Sequence, residues 1–211
     1  VPNLSAPERV LYGKKWAAYD APRHLYHFQH RSLQSLCNKY KFKINNNFHL
    51  LIIDDNSPDG TYKIVEKLKL KYKNLYLLKR KKKLGLGSAI REGMNYALKK
   101  KYNALITLDA DLSHNPKEIP LFIKNLRSYD FITGSRYIKG GESDYGGYRD
   151  MVSRVANKLC RFFLNMPFNE FTTSFRIYNH KCLKVLKKAS LKSDGYSSQI
   201  EFFFYIYKKI N

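Results

Sequence analysis

Phe48-His49-Leu50-Leu51-Ile52-Ile53 is a continuous apolar run that stops at Asp54-Asp55-Asn56-Ser57-Pro58-Asp59-Gly60-Thr61. A run of this kind, bounded by turn formers, predicts a strand buried on both faces. Thr61 is placed to cap the next helix, in which Ile64, Val65, Leu68 and Tyr72 recur at helical spacing. A buried strand that ends in carboxylates and turns straight into a helix is the first step of a β-α-β alternation.

The alternation continues along the chain. Leu75 to Leu78 reads as a second strand, and Lys81-Lys82-Lys83-Leu84-Gly85-Leu86-Gly87-Ser88 opens a helix from about Ala89 to Lys100. Ala104 to Leu108 is a third strand, Pro116 starts another helix, and Phe131-Ile132-Thr133 is a fourth strand ended by Gly134-Ser135-Arg136. Helical patterns follow at about 148–165, 180–190 and 197–209. The pattern predicts an α/β domain with a mostly parallel sheet and helices on both faces. Ligands of such sheets bind at the carboxyl ends of the strands. Those ends carry Asp54-Asp55, Lys83 to Gly87, Asp109-Ala110-Asp111 and Arg136, so the unusual polar chemistry is expected on one edge.

Each of these groups has a plausible chemistry. Asp109 and Asp111 are at i and i+2 of an extended segment, so their side chains point the same way. Paired carboxylates repel unless a cation lies between them, and hard oxygen donors suit Mg²⁺ or Mn²⁺ and the phosphates those ions bind. Asp54-Asp55-Asn56 offers acceptors for a base N–H or a ribose hydroxyl, although the same residues are ordinary turn formers. The glycines after Lys83 precede a helix N-terminus, where anions can approach, but they form neither a Walker loop nor the dinucleotide fingerprint. Arg136, Arg149, Arg154 and Arg176 offer forked donors to phosphate, or simply a solvated surface.

The chain of 211 residues carries 39 Lys and Arg against 17 Asp and Glu, a formal net charge of +22. Nucleic acid, an anionic membrane surface or phosphorylated substrates would each suit that charge. Compositional bias toward Lys, Asn, Ile, Tyr and Phe would also produce it. The aromatics fall within apolar runs rather than alternating with basic residues, which argues against nucleic acid. With 44% hydrophobic residues the chain is globular, and its length suits one domain. Cys37, Cys160 and Cys182 form no C-x-x-C pair, which argues for a reducing compartment. No apolar stretch approaches the ~20 residues needed to span a bilayer. Residues 1–47 lack the alternation and read as a divergent segment, with His24, His27 and His30 on a polar surface helix rather than as metal ligands.

Asp54-Asp55-Asn56-Ser57-Pro58-Asp59-Gly60-Thr61, Lys83-Leu84-Gly85-Leu86-Gly87, Asp109-Ala110-Asp111-Leu112-Ser113-His114 and Gly134-Ser135-Arg136-Tyr137 occur in that order. Together they resemble the polyprenol (dolichol) phosphate mannosyltransferases, inverting family-two glycosyltransferases of the GT-A fold. Tyr148-Arg149, Ser153-Arg154 and Thr173-Ser174-Phe175-Arg176 extend the likeness, which covers roughly residues 48–207. The resemblance implies transfer of a hexosyl group, mannosyl from GDP-mannose in the first instance, to a polyprenyl or dolichyl phosphate with inversion. It implies that Asp109 and Asp111 hold Mg²⁺ or Mn²⁺ on the donor diphosphate, with Ser113, or a water, as a third ligand where relatives often have Gln. It assigns Asp54, Asp55, Lys83, Gly85, Gly87, Asp109 and Ala110 to the nucleotide sugar. It assigns Arg136, Arg149 and Ser153 to the acceptor phosphate, with Asp111 and Arg136 as the catalytic pair.

The resemblance also implies a peripheral protein on the cytoplasmic side of a membrane: the endoplasmic reticulum in a eukaryote, the inner membrane in a bacterium. An anionic membrane surface and a small membrane-anchoring subunit are its expected partners. Two departures stand out. Residues 1–47 contain no apolar strand leading into the family's Pro-x-Tyr-Asn-Glu, so the first strand is expected to be absent. The domain, residues 48–211, is expected to stop short of the family's C-terminal elements. A UDP-glucose-type donor, or a catalytically dead basic module of the same fold, are the alternative readings.

Overall fold

The computed structural model describes residues 48–109, 114–138, 148–195 and 197–210, with Tyr148 and Arg149 described in backbone only. The chain divides into two compact units, Val1–Lys83 with Ala110–Lys117 and Leu84–Asp109 with Glu118–Asn211.

In the first unit, β1 (Leu50–Asp54) and β2 (Leu75–Lys79) pair in parallel, with Leu50 opposite Leu75 and Asp54 opposite Lys79. The crossover between them is α1 (Thr61–Lys71), which buries Val65. Thr61 is not the cap of this helix but its first residue. Gly60 occupies the cap position at φ +72°, a left-handed conformation that favours glycine, and the Asp59 carboxylate accepts from Thr61 N–H at 2.9 Å. The short acidic side chain reaches the first helical N–H from outside, which leaves the threonine inside the turn.

The second unit is built around a three-stranded sheet in the order β3 (Ala104–Thr107), β5 (Arg176–Asn179), β4 (Phe131–Thr133). β5 is antiparallel to both neighbours, so β3 and β4 run parallel to each other. The α/β class expected from the alternation stands, with an antiparallel strand inserted in the middle. Side chains alternate across this sheet. Leu105, Phe131 and Tyr178 face a core with Ile90, Met94, Leu183, Leu186, Phe202 and Ile206. Those residues come from α2 (Leu86–Lys99), α5 (His180–Lys188) and α6 (Ser197–Ile210). Ile106, Ile132, Phe175 and Ile177 face the other way, onto Phe122 of α3 (Ile119–Asn125). Helices therefore cover both faces of this sheet, as the period-two pattern requires.

Pro116–Glu118 forms a single 3-10 turn before α3, and Asn179 caps α5 by accepting from Cys182 N–H at 2.9 Å. Burial pushes the Cys182 thiol up to about 12. The long α4 (Tyr148–Leu164) completes the unit.

Candidate functional site

Parallel β3 and β4 leave the sheet at the same edge. Thr107 and Thr133 both pair with Arg176, the first residue of β5, so the chain leaves β3 toward Asp109 and β4 toward Arg136 at the same end of the sheet, on either side of β5. Because β5 is antiparallel, the segment 170–175 that feeds it arrives at this same edge. Thr107 Oγ1 donates to the Ser174 carbonyl at 2.5 Å, and Gly134 N–H donates to the Phe175 carbonyl at 2.8 Å. A Cβ on Gly134 would lie 3.2 Å from the Phe175 ring, which would have to shift by a few tenths of an ångström.

Arg136 is the centre of the polar network. Its Nε and Nη2 donate to the two carboxylate oxygens of Glu170 at 3.1 and 3.2 Å, and Nη2 also lies 3.4 Å from Ser153 Oγ. Glu170 is fully buried, whereas about a quarter of the Arg136 side chain is exposed. A forked pair fixes the plane of a guanidinium as well as its position. Glu170 is further held by Thr172 Oγ1, which donates to it at 2.6 Å, and by Asn157 Nδ2 at 3.4 Å. Asn157 in turn accepts from Phe171 N–H at 2.7 Å. Tyr137 lies between two cations, with the Arg136 and Arg154 guanidinium carbons 5.3 and 4.7 Å from its ring centre. Asp150 bonds Arg154 at 2.6 Å and raises its pKa above the usual arginine value.

Arg136 and Ser153, which the resemblance assigns to the acceptor phosphate, lie together in the structure. Arg149 begins the same helix, but its side chain lies outside the described residues. Glu170 was not foreseen. Nothing in Asn169-Glu170-Phe171 marks it locally, and its importance comes from a partner 34 positions away.

Asp109 lies two residues beyond β3 and is half-buried, while Ala110, Asp111 and Ser113 lie outside the described residues. Among the described residues no group of three or more His, Cys, Asp or Glu could hold a metal ion. What is described of the expected set, the Asp109 carboxylate just beyond the half-buried β3, has the hard oxygen donor that Mg²⁺ or Mn²⁺ needs.

In the first unit, Asp54 is buried, and its Oδ2 accepts from Ser57 N–H at 3.1 Å. Asp55 forms an ion pair with the buried Arg80, whose own N–H donates to the Asp54 carbonyl at 2.7 Å. Lys83 is exposed.

Gly85 and Gly87 have a packing role. Gly87 N–H donates to the Asp194 carbonyl at 2.8 Å, and a Cβ on Gly87 would lie 2.5 Å from Ser193 O and 2.7 Å from Ser198 Cβ. Gly85, at φ +87°, allows no Cβ either, because Asp194 O would be 2.9 Å away. The 193–198 segment is anchored there. Arg91 donates to Ser193 O at 2.8 Å and pairs with the Asp194 carboxylate, and Glu201 accepts from Lys192 and Ser193 N–H, each at 3.0 Å.

Comparison with known proteins identifies the family. Residues 26–186 match Glycosyl transferase family 2. The chain is 33% identical over 156 residues to polyprenol monophosphomannose synthase of Mycolicibacterium smegmatis, covering 72% of this chain and 59% of that protein. It is 30% identical over 156 residues to undecaprenyl-phosphate mannosyltransferase of Micrococcus luteus, covering 74% and 64% respectively. It therefore spans about three fifths of the length of these relatives. The crystal structure of glucosyl-3-phosphoglycerate synthase from Mycobacterium tuberculosis, in complex with uridine diphosphate, superposes with a TM-score of 0.61 over 85% of this chain and 61% of that one. At 13% identity this likeness concerns the fold, which is GT-A-like. With the family match covering most of the chain, this protein belongs to glycosyl transferase family 2.

Proposed function

We propose that this chain transfers a mannosyl group from GDP-mannose to a polyprenyl or dolichyl phosphate, with inversion at the anomeric carbon. The observation that carries the reading is Arg136, fixed by buried Glu170 and set beside Ser153 at the carboxyl edge of the sheet. The names of the two relatives support the acceptor class and the sugar.

The acceptor needs no general base. A phosphate monoester has its second pKa near ~6, so it presents a nucleophilic oxyanion at neutral pH. Arg136, Arg149 and Ser153 hold that phosphate in line with the anomeric carbon, and alignment supplies much of the rate. Asp109 and Asp111 are the proposed metal ligands, with Ser113 or a water completing the set. Bound Mg²⁺ or Mn²⁺ would neutralise the charge of the departing diphosphate. Asp54, Asp55 and Lys83 are assigned to the nucleotide. Ala110 is assigned to it as well, and Gly85 and Gly87 act on that side by shaping the backbone.

The net charge of +22 favours a peripheral site on an anionic membrane surface on the cytoplasmic side. Among the described residues no helix is long and apolar enough to cross a membrane. A small membrane-anchoring subunit fits this reading.

Calorimetric titration with GDP-mannose, in Mn²⁺ and then in EDTA, tests the donor half. Binding that requires metal and is lost in Asp109→Asn and Asp111→Ala is the expected result. Equal binding in EDTA would remove the metal from the proposal, and binding of UDP-glucose alone would change the donor.

A further inference from the structure

α4 has two working faces. Ser153 and Asn157 point inward, to Arg136 and to Phe171 and Glu170. Met151, Val152, Val155, Leu159, Phe162 and Phe163 are all exposed, Phe162 by 79% and Phe163 by 75%. At 100° per residue these six positions fall within an arc of about 120° on the side away from the core. The two phenylalanine rings touch only edge to face, at 5.3 Å between centres. Exposed apolar residues scattered singly need no explanation, but a stripe running the length of a helix does.

The borders of the stripe say what covers it. Lys158 and Arg161, with Arg154 that pairs to Asp150, form one flank, about 280–340° around the same wheel. A broad apolar arc edged on one side by cations, with aromatic rings in it, is the pattern of a helix lying in the plane of a membrane interface. A protein partner would suit the apolar arc equally, but the chain's excess of 39 basic over 17 acidic residues favours an anionic bilayer.

We propose that the outer face of α4 inserts into the headgroup boundary of an anionic bilayer, rings of Phe162 and Phe163 deepest, while its inner face holds Arg136 and Ser153 at headgroup depth. This rests on the acceptor reading above for its purpose, though not for its test. A lipid phosphate would then meet the arginine without leaving the membrane, since one helix serves both contacts.

Flotation with vesicles of phosphatidylcholine, with and without phosphatidylglycerol, reads the insertion directly and needs neither donor nor acceptor. The intact protein is expected to float with the anionic vesicles. Phe162→Asp/Phe163→Asp should lower its partition at least about tenfold, and Phe162→Leu/Phe163→Leu should retain it. Both pairs are solvent-exposed, so the fold should be unaffected, which circular dichroism checks. Transfer to a short, water-soluble isoprenyl phosphate should be unchanged in the Asp pair. Equal flotation of the Asp pair, no flotation of the intact protein, or a self-association at this face that the Asp pair abolishes would each overturn the proposal. Flotation dependent on the two rings in a protein that transfers no sugar would leave this inference standing and remove the functional one.

Discussion

Arg136→Ala is expected to abolish measurable sugar transfer and to weaken the fold at the same time. Removing a charged donor that grips a reacting phosphate costs about 10²-fold or more in turnover. The structural cost has a separate origin. Glu170 is fully buried and its two oxygens accept from Arg136 at 3.1 and 3.2 Å, so truncation leaves a carboxylate without its counter-charge. Breaking one side of a buried ion pair typically costs about 3–5 kcal/mol. The two effects separate in Arg136→Ala/Glu170→Gln. That pair removes the stranded charge, keeps an acceptor for Thr172 and Asn157, and should regain most of the lost stability. It should regain no transfer. Denaturant melts and a lipid-product assay on the same samples check both halves. Arg136→Lys should fold but stay impaired, because an ammonium cannot make the fork that fixes the guanidinium plane.

Gly87→Ala should act mainly on stability. The new methyl would meet the Ser193 carbonyl at 2.5 Å and Ser198 Cβ at 2.7 Å, both on the main chain or one bond from it. Neither can swing aside as a long side chain would. Overpacking of this kind costs about 1–3 kcal/mol, and the lost Gly87 N–H to Asp194 bond adds to it. For a chain of this size that is a fall in Tm on the order of 5–10 °C. Gly195→Ala is the control, since nothing lies within 4 Å of its would-be Cβ. Donor affinity of the folded Gly87→Ala protein should be close to that of the parent. A normal Tm with lost donor affinity would instead make Gly87 a nucleotide-lining position.

These two sites also mark what a sequence can and cannot convey. The elements with long apolar runs were legible: β1, β2, β3 and β4 were all foreseen, as were α4, α5 and α6 to within a residue or two. β5 was not, because Arg176-Ile177-Tyr178-Asn179 is half polar. Its arginine is fully buried, donating to the carbonyls of Gln199 and Phe171 at 2.7 and 2.6 Å, and burial lowers its pKa from the usual value. A strand that buries a guanidinium looks like a loop until its partners are known. Missing β5 hid the route by which Glu170 reaches Arg136. The glycines after Lys83 also have a packing role that their spacing did not announce. Their spacing suggested anion approach, and the structure adds that a Cβ on either would meet Ser193, Asp194 or Ser198, more than 100 positions away.

Mannosyl transfer to a lipid phosphate is read most directly by its product. Incubating the protein with labelled GDP-mannose, Mn²⁺ and a polyprenyl phosphate, then extracting into organic solvent, measures it in one step. Label is expected in the lipid phase, lost with EDTA and absent with Arg136→Ala. A folded protein that passes no label to the lipid from GDP-mannose, UDP-glucose or any other sugar nucleotide would contradict it.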